Sequence, residues 1–227
     1  MKSIDQASGH YQGDEGKRYF AYQNRFADIG GKLDARKFAP YIQPGDRVLD
    51  FGCGGGWILK GIGCQSRVGI EVNEYAHESC GSNGVKVYKE AAQVQERDFD
   101  VITSHHCLEH VPFPIQELRL MRDLLKPDGK LLLVLPIDDW RVQKDFTGRD
   151  INHHLHTWTP RLLANTLMEA GFEAADARVL THAWFPGWHK LHGKIPMAVF
   201  DLLCRGWSIL MKRRQLFVCA RKLERAG

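Results

Sequence analysis

The apolar pair Val48-Leu49 ends in an acid, Asp50, and opens past Phe51 onto Gly52-Cys53-Gly54-Gly55-Gly56. Glycines at that density let a ligand touch backbone, and a helix starting there would offer unpaired N–H groups. The next apolar run, Val68-Gly69-Ile70, ends in Glu71. A carboxylate about 20 residues after such a loop suits the two hydroxyls of a ribose. Together these residues describe a nucleoside site. A second set could move protons: His105, His106 and His110 in one stretch, and His153, His154 and His156 in another. Imidazole, with an ordinary pKa of about 6.5, serves as a general base near neutral pH.

The spacing of the glycines selects among nucleosides. A dinucleotide site wants G-x-G-x-x-G, with its third glycine under a pyrophosphate. Here Gly52, Gly54 and Gly56 alternate, and Trp57 stands at the dinucleotide pattern's third position. Asp50 would repel a pyrophosphate and suits a ligand carrying an ammonium group. A nicotinamide-dependent oxidoreductase shares the Glu71 logic and is the alternative that this register argues against.

The elements holding these residues follow a clear alternation. From Asp46 to Pro136, short apolar runs alternate with longer amphipathic stretches, the pattern of a parallel sheet with helices on both faces. Val85–Tyr88 reads as a third strand, Phe99–Ser104 as a fourth and Leu131–Pro136 as a fifth, with 173–181 and 215–222 as the last two. Thr159-Pro160 opens a helix with an N-cap residue and a first-turn proline, and Gly171 stops it. The segment holding His106 and His110 is expected to start a helix packed on the sheet.

Taken in chain order, the acid-x-Gly-x-Gly-x-Gly loop at 50–56, Glu71, Glu90-Ala91-Ala92, Leu108-Glu109-His110-Val111 and Leu124-Leu125-Lys126-Pro127-Asp128-Gly129 resemble the class I S-adenosylmethionine (SAM) methyltransferases. The resemblance spans roughly residues 45 to 182 and is nearest the broad group of quinone-precursor and sugar O-methyltransferases. It implies a Rossmann-like, doubly wound α/β fold, with a seven-stranded, mostly parallel sheet and a reversed last strand. It also implies that Asp50, Phe51, Gly52, Cys53, Gly54 and Gly56 hold the methionine end of SAM, and later of the product S-adenosylhomocysteine. Glu71 and Val72 would then meet the ribose, and Glu90 and Ala91 the adenine, with Ser104 and His105 completing the cofactor contacts. Residues 1–44 would form a lid carrying Tyr11 and Tyr19 to the ligands. The remaining aromatics there, Phe20, Tyr22 and Phe26, read as the apolar side of a packed helix. Residues 45–227 would be the methyltransferase domain, with insertions at 137–158 and 183–214.

Methyl transfer from a sulfonium is an in-line displacement that needs proximity, alignment and exclusion of water. A hydroxyl acceptor must also lose its proton. His106 or His110 is expected to take it, with His154 as the alternative. Some quinone-precursor enzymes similar to this segment use a divalent ion beside the Glu-His pair. Glu109 and His110 match that pair, but His106 stands where a further glutamate would be, so no metal ligand is assigned. The same residues spell the H-x-x-E-H of an inverted zinc protease, but a strand precedes them and the mid-helix setting is lacking.

At 227 residues the chain fits one α/β domain with elaborations. No run of about 18 apolar residues occurs, and the start lacks a hydrophobic signal region, so a cytoplasmic location is expected. The six cysteines are scattered without a C-x-x-C pair, which excludes a zinc ribbon or a disulfide framework. The net charge of +4 hides a split: ten Lys/Arg against two Asp/Glu from Arg178 onward, a net +8, and −4 before it. The C-terminal part is therefore expected to meet something anionic.

Within that part, 183–214 is aromatic and apolar, is interrupted by Asp201 and Arg205, and ends in Lys212-Arg213-Arg214. Peripheral contact with the inner face of a membrane, or a grip on a greasy acceptor, is one expectation for it. Packing back on the domain or forming a dimer contact is the other. The acceptor is expected to be a small molecule, lipid-linked or a sugar. No nucleic acid is expected, since Ser104-His105-His106-Cys107 replaces the (Asp/Asn)-Pro-Pro-aromatic motif of base-methylating relatives. A non-catalytic interaction subunit with this fold is a further alternative, against which the intact loop, Asp50 and Glu71 weigh.

Overall fold

The computed structural model describes residues 9–139 and 152–223. The start of the expected lid (1–8), most of the first insertion (140–151, Trp140 included) and residues 224–227 lie outside the described residues. Two helices lead in, α1 (Gly13–Gln23) and α2 (Ala27–Phe38). The chain then alternates through β1 (Arg47–Phe51), α3 (Trp57–Lys60), β2 (Ser66–Ile70), α4 (His77–Ser82), β3 (Lys86–Tyr88) and β4 (Phe99–His105). It continues through α5 (Pro114–Leu124), β5 (Leu125–Ile137), α6 (Pro160–Glu169), β6 (Phe172–Leu180), α7 (Trp188–Leu191), α8 (Met197–Leu210) and β7 (Arg214–Lys222).

The strands lie in the order β3-β2-β1-β4-β5-β7-β6, and β7 alone runs antiparallel to both of its neighbours. The chain reverses its direction of winding between β1 and β4, and ligands of open α/β sheets bind outside the carboxyl ends of strands at such a switch. Asp50 and Phe51 end one of these strands; Ser104 and His105 end the other.

The central strands are buried on both faces, which is why they read as unbroken apolar runs rather than alternating ones. The side chains still alternate. Leu131, Leu133 and Leu135 enter one core with Phe51, Met121 and Phe172, while Leu132 and Val134 enter the other with Phe38 and Phe217. At α6, Thr159 Oγ1 accepts from Leu162 N at 3.2 Å and Gly171 ends the helix at φ +84°, as the sequence pattern predicts.

Three expectations are corrected. The fifth strand begins at Leu125 rather than Leu131, with Lys126–Gly129 as a bulge within it, since Phe99 pairs with Leu125 and Val101 with Lys130. The His106–His110 segment is a turn, and its helix starts only at Pro114. His106 has left-handed backbone (φ +50°), and the residue before a proline is biased away from helix, so Pro112 and Pro114 delay the start. Tyr22 is 51% exposed and so is not on the packed side of a helix, while Phe26 lies outside α1 and α2 and stacks on His189 at 3.9 Å.

Candidate functional site

The turn from β1 into α3 carries left-handed backbone at Gly52 (φ +76°) and Gly54 (φ +52°). A Cβ on Gly52 would stand 2.3 Å from Cys107 Sγ, whereas one on Gly54 would meet nothing within 4 Å. Gly54 therefore shows bare backbone to open space, where a ligand can lie. Glu71 borders that space. Its Oε2 accepts from Gly54 N and its Oε1 from Asn73 N, both at 2.8 Å. Burial raises its carboxyl above the usual range, and those two N–H groups work in the opposite direction.

Asp50 lies beneath the loop, 1% exposed, and accepts from Thr103 Oγ1 at 2.7 Å. Burial pushes its carboxyl up to about 7, so a cationic ligand above it would favour the carboxylate. Phe51 and Cys53 turn their side chains into the core and present backbone to the loop. Ser104 is fully buried and donates to Phe51 O at 2.9 Å, tying β4 to β1. Val72 is half-buried beside Glu71; Glu90 is exposed and Ala91 is buried in the turn that follows β3.

His105 is set against the end of α2. Lys37 Nζ donates to His105 Nε2 at 2.9 Å, to Gln215 Oε1 at 3.0 Å, and pairs with Asp34 Oδ1 at 2.7 Å. Burial works to raise the Asp34 carboxyl, but His105 and Lys37 outweigh it and hold the group well below the usual carboxylate range.

The proton-transfer candidates meet at a second centre. Tyr11 OH donates to Asn152 O at 2.7 Å, so it accepts from His110 Nδ1 at 2.8 Å. That fixes the His110 proton on Nδ1 and its lone pair on Nε2, which stands 3.8 Å from Glu109 Oε1. His154 Nδ1 lies 2.9 Å from Asp138 Oδ2, which orients its ring in the same manner. The stretch bearing His154 is fastened to the turn by Leu155 N and His156 N, which donate to Glu109 O at 2.8 and 3.1 Å. His106 approaches from the other side, with Nδ1 also 3.8 Å from Glu109 Oε1. Its Nε2 is buried without a hydrogen-bond partner among the described residues. Burial, then His105 and Lys37, push the His106 imidazolium well below the ordinary range, so the ring is neutral near pH 7.

Glu109 itself is fully buried, and neither carboxylate oxygen has a hydrogen-bond partner among the described residues. Burial pushes its carboxyl up to about 8. A buried polar group left unsatisfied is costly, and a cation would satisfy it. One ligand atom each from Glu109, His110 and His154 lie within 4.8 Å of one another. One carboxylate oxygen and two oriented imidazoles fit a divalent ion of the zinc type. The third donor atom of this group comes from the segment after β5.

Two aromatic residues connect the centres. Tyr19 meets Tyr11 edge to face at 4.9 Å and accepts from Gln23 Nε2 at 2.6 Å. Burial raises its phenol strongly, and Cys107, Glu71 and Glu109 add to the effect. Asn73 Nδ2 donates to Gly16 O at 2.8 Å and Trp57 Nε1 to Asn24 Oδ1 at 3.0 Å, tying α1 and its following turn across the loop. Sequence reasoning missed Asn73, Thr103, Asp34 and Lys37. The Asp138-Asp139 pair at the carboxyl edge of the sheet was visible, but its pairing with His154 was not.

A family model described as methyltransferase domain matches residues 22–177. The ubiquinone biosynthesis O-methyltransferase of Neisseria meningitidis serogroup C is 27% identical over 162 residues, covering 61% of this chain and 68% of that protein. A SAM dependent methyltransferase of Archaeoglobus fulgidus has the same fold at a TM-score of 0.63, with 20% identity, covering 89% of this chain and 99% of its own. The phosphoethanolamine N-methyltransferase 2 of Haemonchus contortus, solved with S-adenosyl-L-methionine, gives 0.62 at 17% identity, covering 95% of this chain and 59% of its own.

Proposed function

The chain belongs to the methyltransferase-domain family and is a SAM-dependent methyltransferase; we propose that it methylates a hydroxyl oxygen on an aromatic or lipid-linked small molecule, at a membrane surface. The cofactor's methionine end lies along the Gly52–Gly56 backbone above Asp50, with its ribose at Glu71 and its adenine at Glu90-Ala91. The acceptor lies over the turn at His106–His110, under Tyr11 and Tyr19 of the lid formed by residues 1–44. The acceptor oxygen attacks the methyl carbon, the carbon–sulfur bond breaks, and its electron pair stays on sulfur as S-adenosylhomocysteine. The hydroxyl proton passes to a neutral imidazole.

His106 is that base, and the observation carrying this choice is its buried Nε2, which lacks a hydrogen-bond partner among the described residues. His110 already meets Tyr11 through one ring nitrogen, and His154 meets Asp138 through one of its own. The imidazolium formed on His106 faces the Glu109 carboxyl across 3.8 Å, which favours the charged form once that carboxyl ionises. An O-methyl product is favoured by the relatives named for ubiquinone biosynthesis, and an apolar acceptor by the segment 183–214.

A second reading of the same centre is supported by the unsatisfied carboxylate of Glu109. Glu109, His110 and His154 would hold a divalent ion there. When bound, such an ion lowers the pKa of an acceptor hydroxyl and orients it. The family reading itself is tested by transfer of labelled methyl from SAM into a host-cell extract split into organic, aqueous and macromolecular fractions. Label in the organic phase is expected. Label confined to the aqueous or glycan fraction would overturn the acceptor class in favour of a sugar. SAM binding with no label anywhere would return the chain to an interaction subunit.

A further inference from the structure

The segment 183–214 folds as α7 and α8, and α8 uses only one of its sides. Phe200, Cys204 and Ser208 recur one turn apart and face inward, the first two packing with Leu33 of α2 and Trp188. Arg36 of α2 clamps Asp201 through two nitrogens at 2.8 and 3.2 Å, and Trp184 lies where a Cβ on Gly30 would stand 2.7 Å away. The helix is thus held firmly on α2, whose last turn also carries Lys37 and its contact with His105.

Among the described residues, nothing covers the opposite side of α8. Val199, Leu202, Leu203, Ile209 and Leu210 are exposed, Leu202 by 68% and Leu210 by 70%. Large apolar side chains gathered on one face of a soluble surface mark an interaction site. Arg205 within α8 and Lys212 and Arg213 just past its end are exposed and form no ion pair among the described residues, and the same holds for Lys190 and Lys194 earlier in the segment. Asp201, the one acid between 183 and 214, is already taken by Arg36. A second copy of the chain fits this face poorly, because a two-fold contact would bring the same cations face to face.

We propose that the outer face of α8 lies in the interface of an anionic bilayer, with its leucines at the headgroup–acyl boundary and its cations among lipid phosphates. Fourteen residues give a helix of about 21 Å, shorter than the roughly 30 Å hydrocarbon core, so α8 lies in the plane rather than across it. No helix among the described residues is long and apolar enough to cross a membrane. This deepens the proposed location of the enzyme and rests on that reading for its purpose, but lipid binding is measured without any methyl transfer.

The test is flotation of the full chain with sealed vesicles of phosphatidylcholine, alone or with about a third phosphatidylglycerol. The bound fraction is expected to be at least about tenfold greater on the anionic vesicles and to fall in high salt. The double variants L202S/L210S and K212E/R213E are each expected to lose about tenfold in binding while SAM affinity is unchanged. Equal binding by the wild type and both variants, or equal binding to neutral vesicles, overturns the proposal. So does a dimer that L202S/L210S dissociates while no vesicle binds, which would give the face to a second copy. Vesicle binding with no methyl transfer leaves this inference standing and removes the functional one.

Discussion

Nε2 of His110 stands 3.8 Å from Oε1 of Glu109, and Nδ1 of His106 stands 3.8 Å from that same oxygen. Between these rings the carboxyl makes no hydrogen bond among the described residues, and burial lifts it to about 8. In the unfolded chain the same group ionises near its usual value of about 4.3. Between those two values the folded state binds more protons than the unfolded one. Stability therefore falls as pH rises from about 4.5 to 8. Asp50, lifted to about 7, acts in the same direction over a narrower window.

Glu109→Gln removes that titration while keeping the shape. The variant's thermal midpoint is expected to exceed the wild type's by about 2–4 °C at pH 7.5 without added metal, an advantage that vanishes at pH 5. Thermal melts at the two pH values check this. An equal difference at both would mean the carboxyl is not held protonated.

A divalent ion at this centre would displace the Glu109 proton. Zinc affinity is then expected to climb about tenfold per pH unit up to roughly pH 8 and to level off above it. His154→Ala should weaken zinc about 100-fold, and Asp138→Asn about tenfold, through loss of ring orientation. Competition against a chromophoric chelator reads both. Unaltered affinity in His154→Ala would remove His154 from the site.

For the base, His106→Gln is expected to lower kcat by about 10²–10⁴ without moving the dissociation constant for SAM. Because burial and its neighbours hold the His106 imidazolium below the ordinary range, activity should fall on the acid side only well below pH 6.5. Full turnover in this variant would reassign the proton to His110 or His154.

Gly52 and Gly54 share a left-handed backbone but not their surroundings, so alanine should harm them differently. At Gly52 the new Cβ meets Cys107, 2.3 Å from Sγ, and a loss of about 2–4 kcal/mol in unfolding free energy is expected. At Gly54 the Cβ points into open space, so stability should drop by only about 1 kcal/mol while SAM affinity drops at least about tenfold. Denaturant melts beside calorimetric SAM titrations separate the two.

The cofactor half of the site was legible because its signals are local. The glycine register, an acid at each strand end and the Thr159-Pro160 cap all sit within a few residues of what they determine. The acceptor half depends on contacts distant in sequence. Lys37 reaches His105 across 68 residues, and Tyr11 reaches Asn152 across 141. No spacing rule connects such pairs, and a histidine-rich stretch looks alike whether its rings ligate, donate or pack. The helix expected at His106–His110 is displaced to Pro114 by a local signal, the prolines at 112 and 114. Cys53 was readable as part of the loop, yet its side chain belongs to the core.

The left-handed backbone at His106 has an evolutionary corollary. A side chain in that conformation costs about 1 kcal/mol that glycine would not. Glycine or asparagine would suit this backbone better, while the proposed role as base requires an imidazole. On the proposed role of His106 as base, backbone strain and turnover pull against each other at this residue, and His106→Gly should relieve the backbone at the expense of kcat.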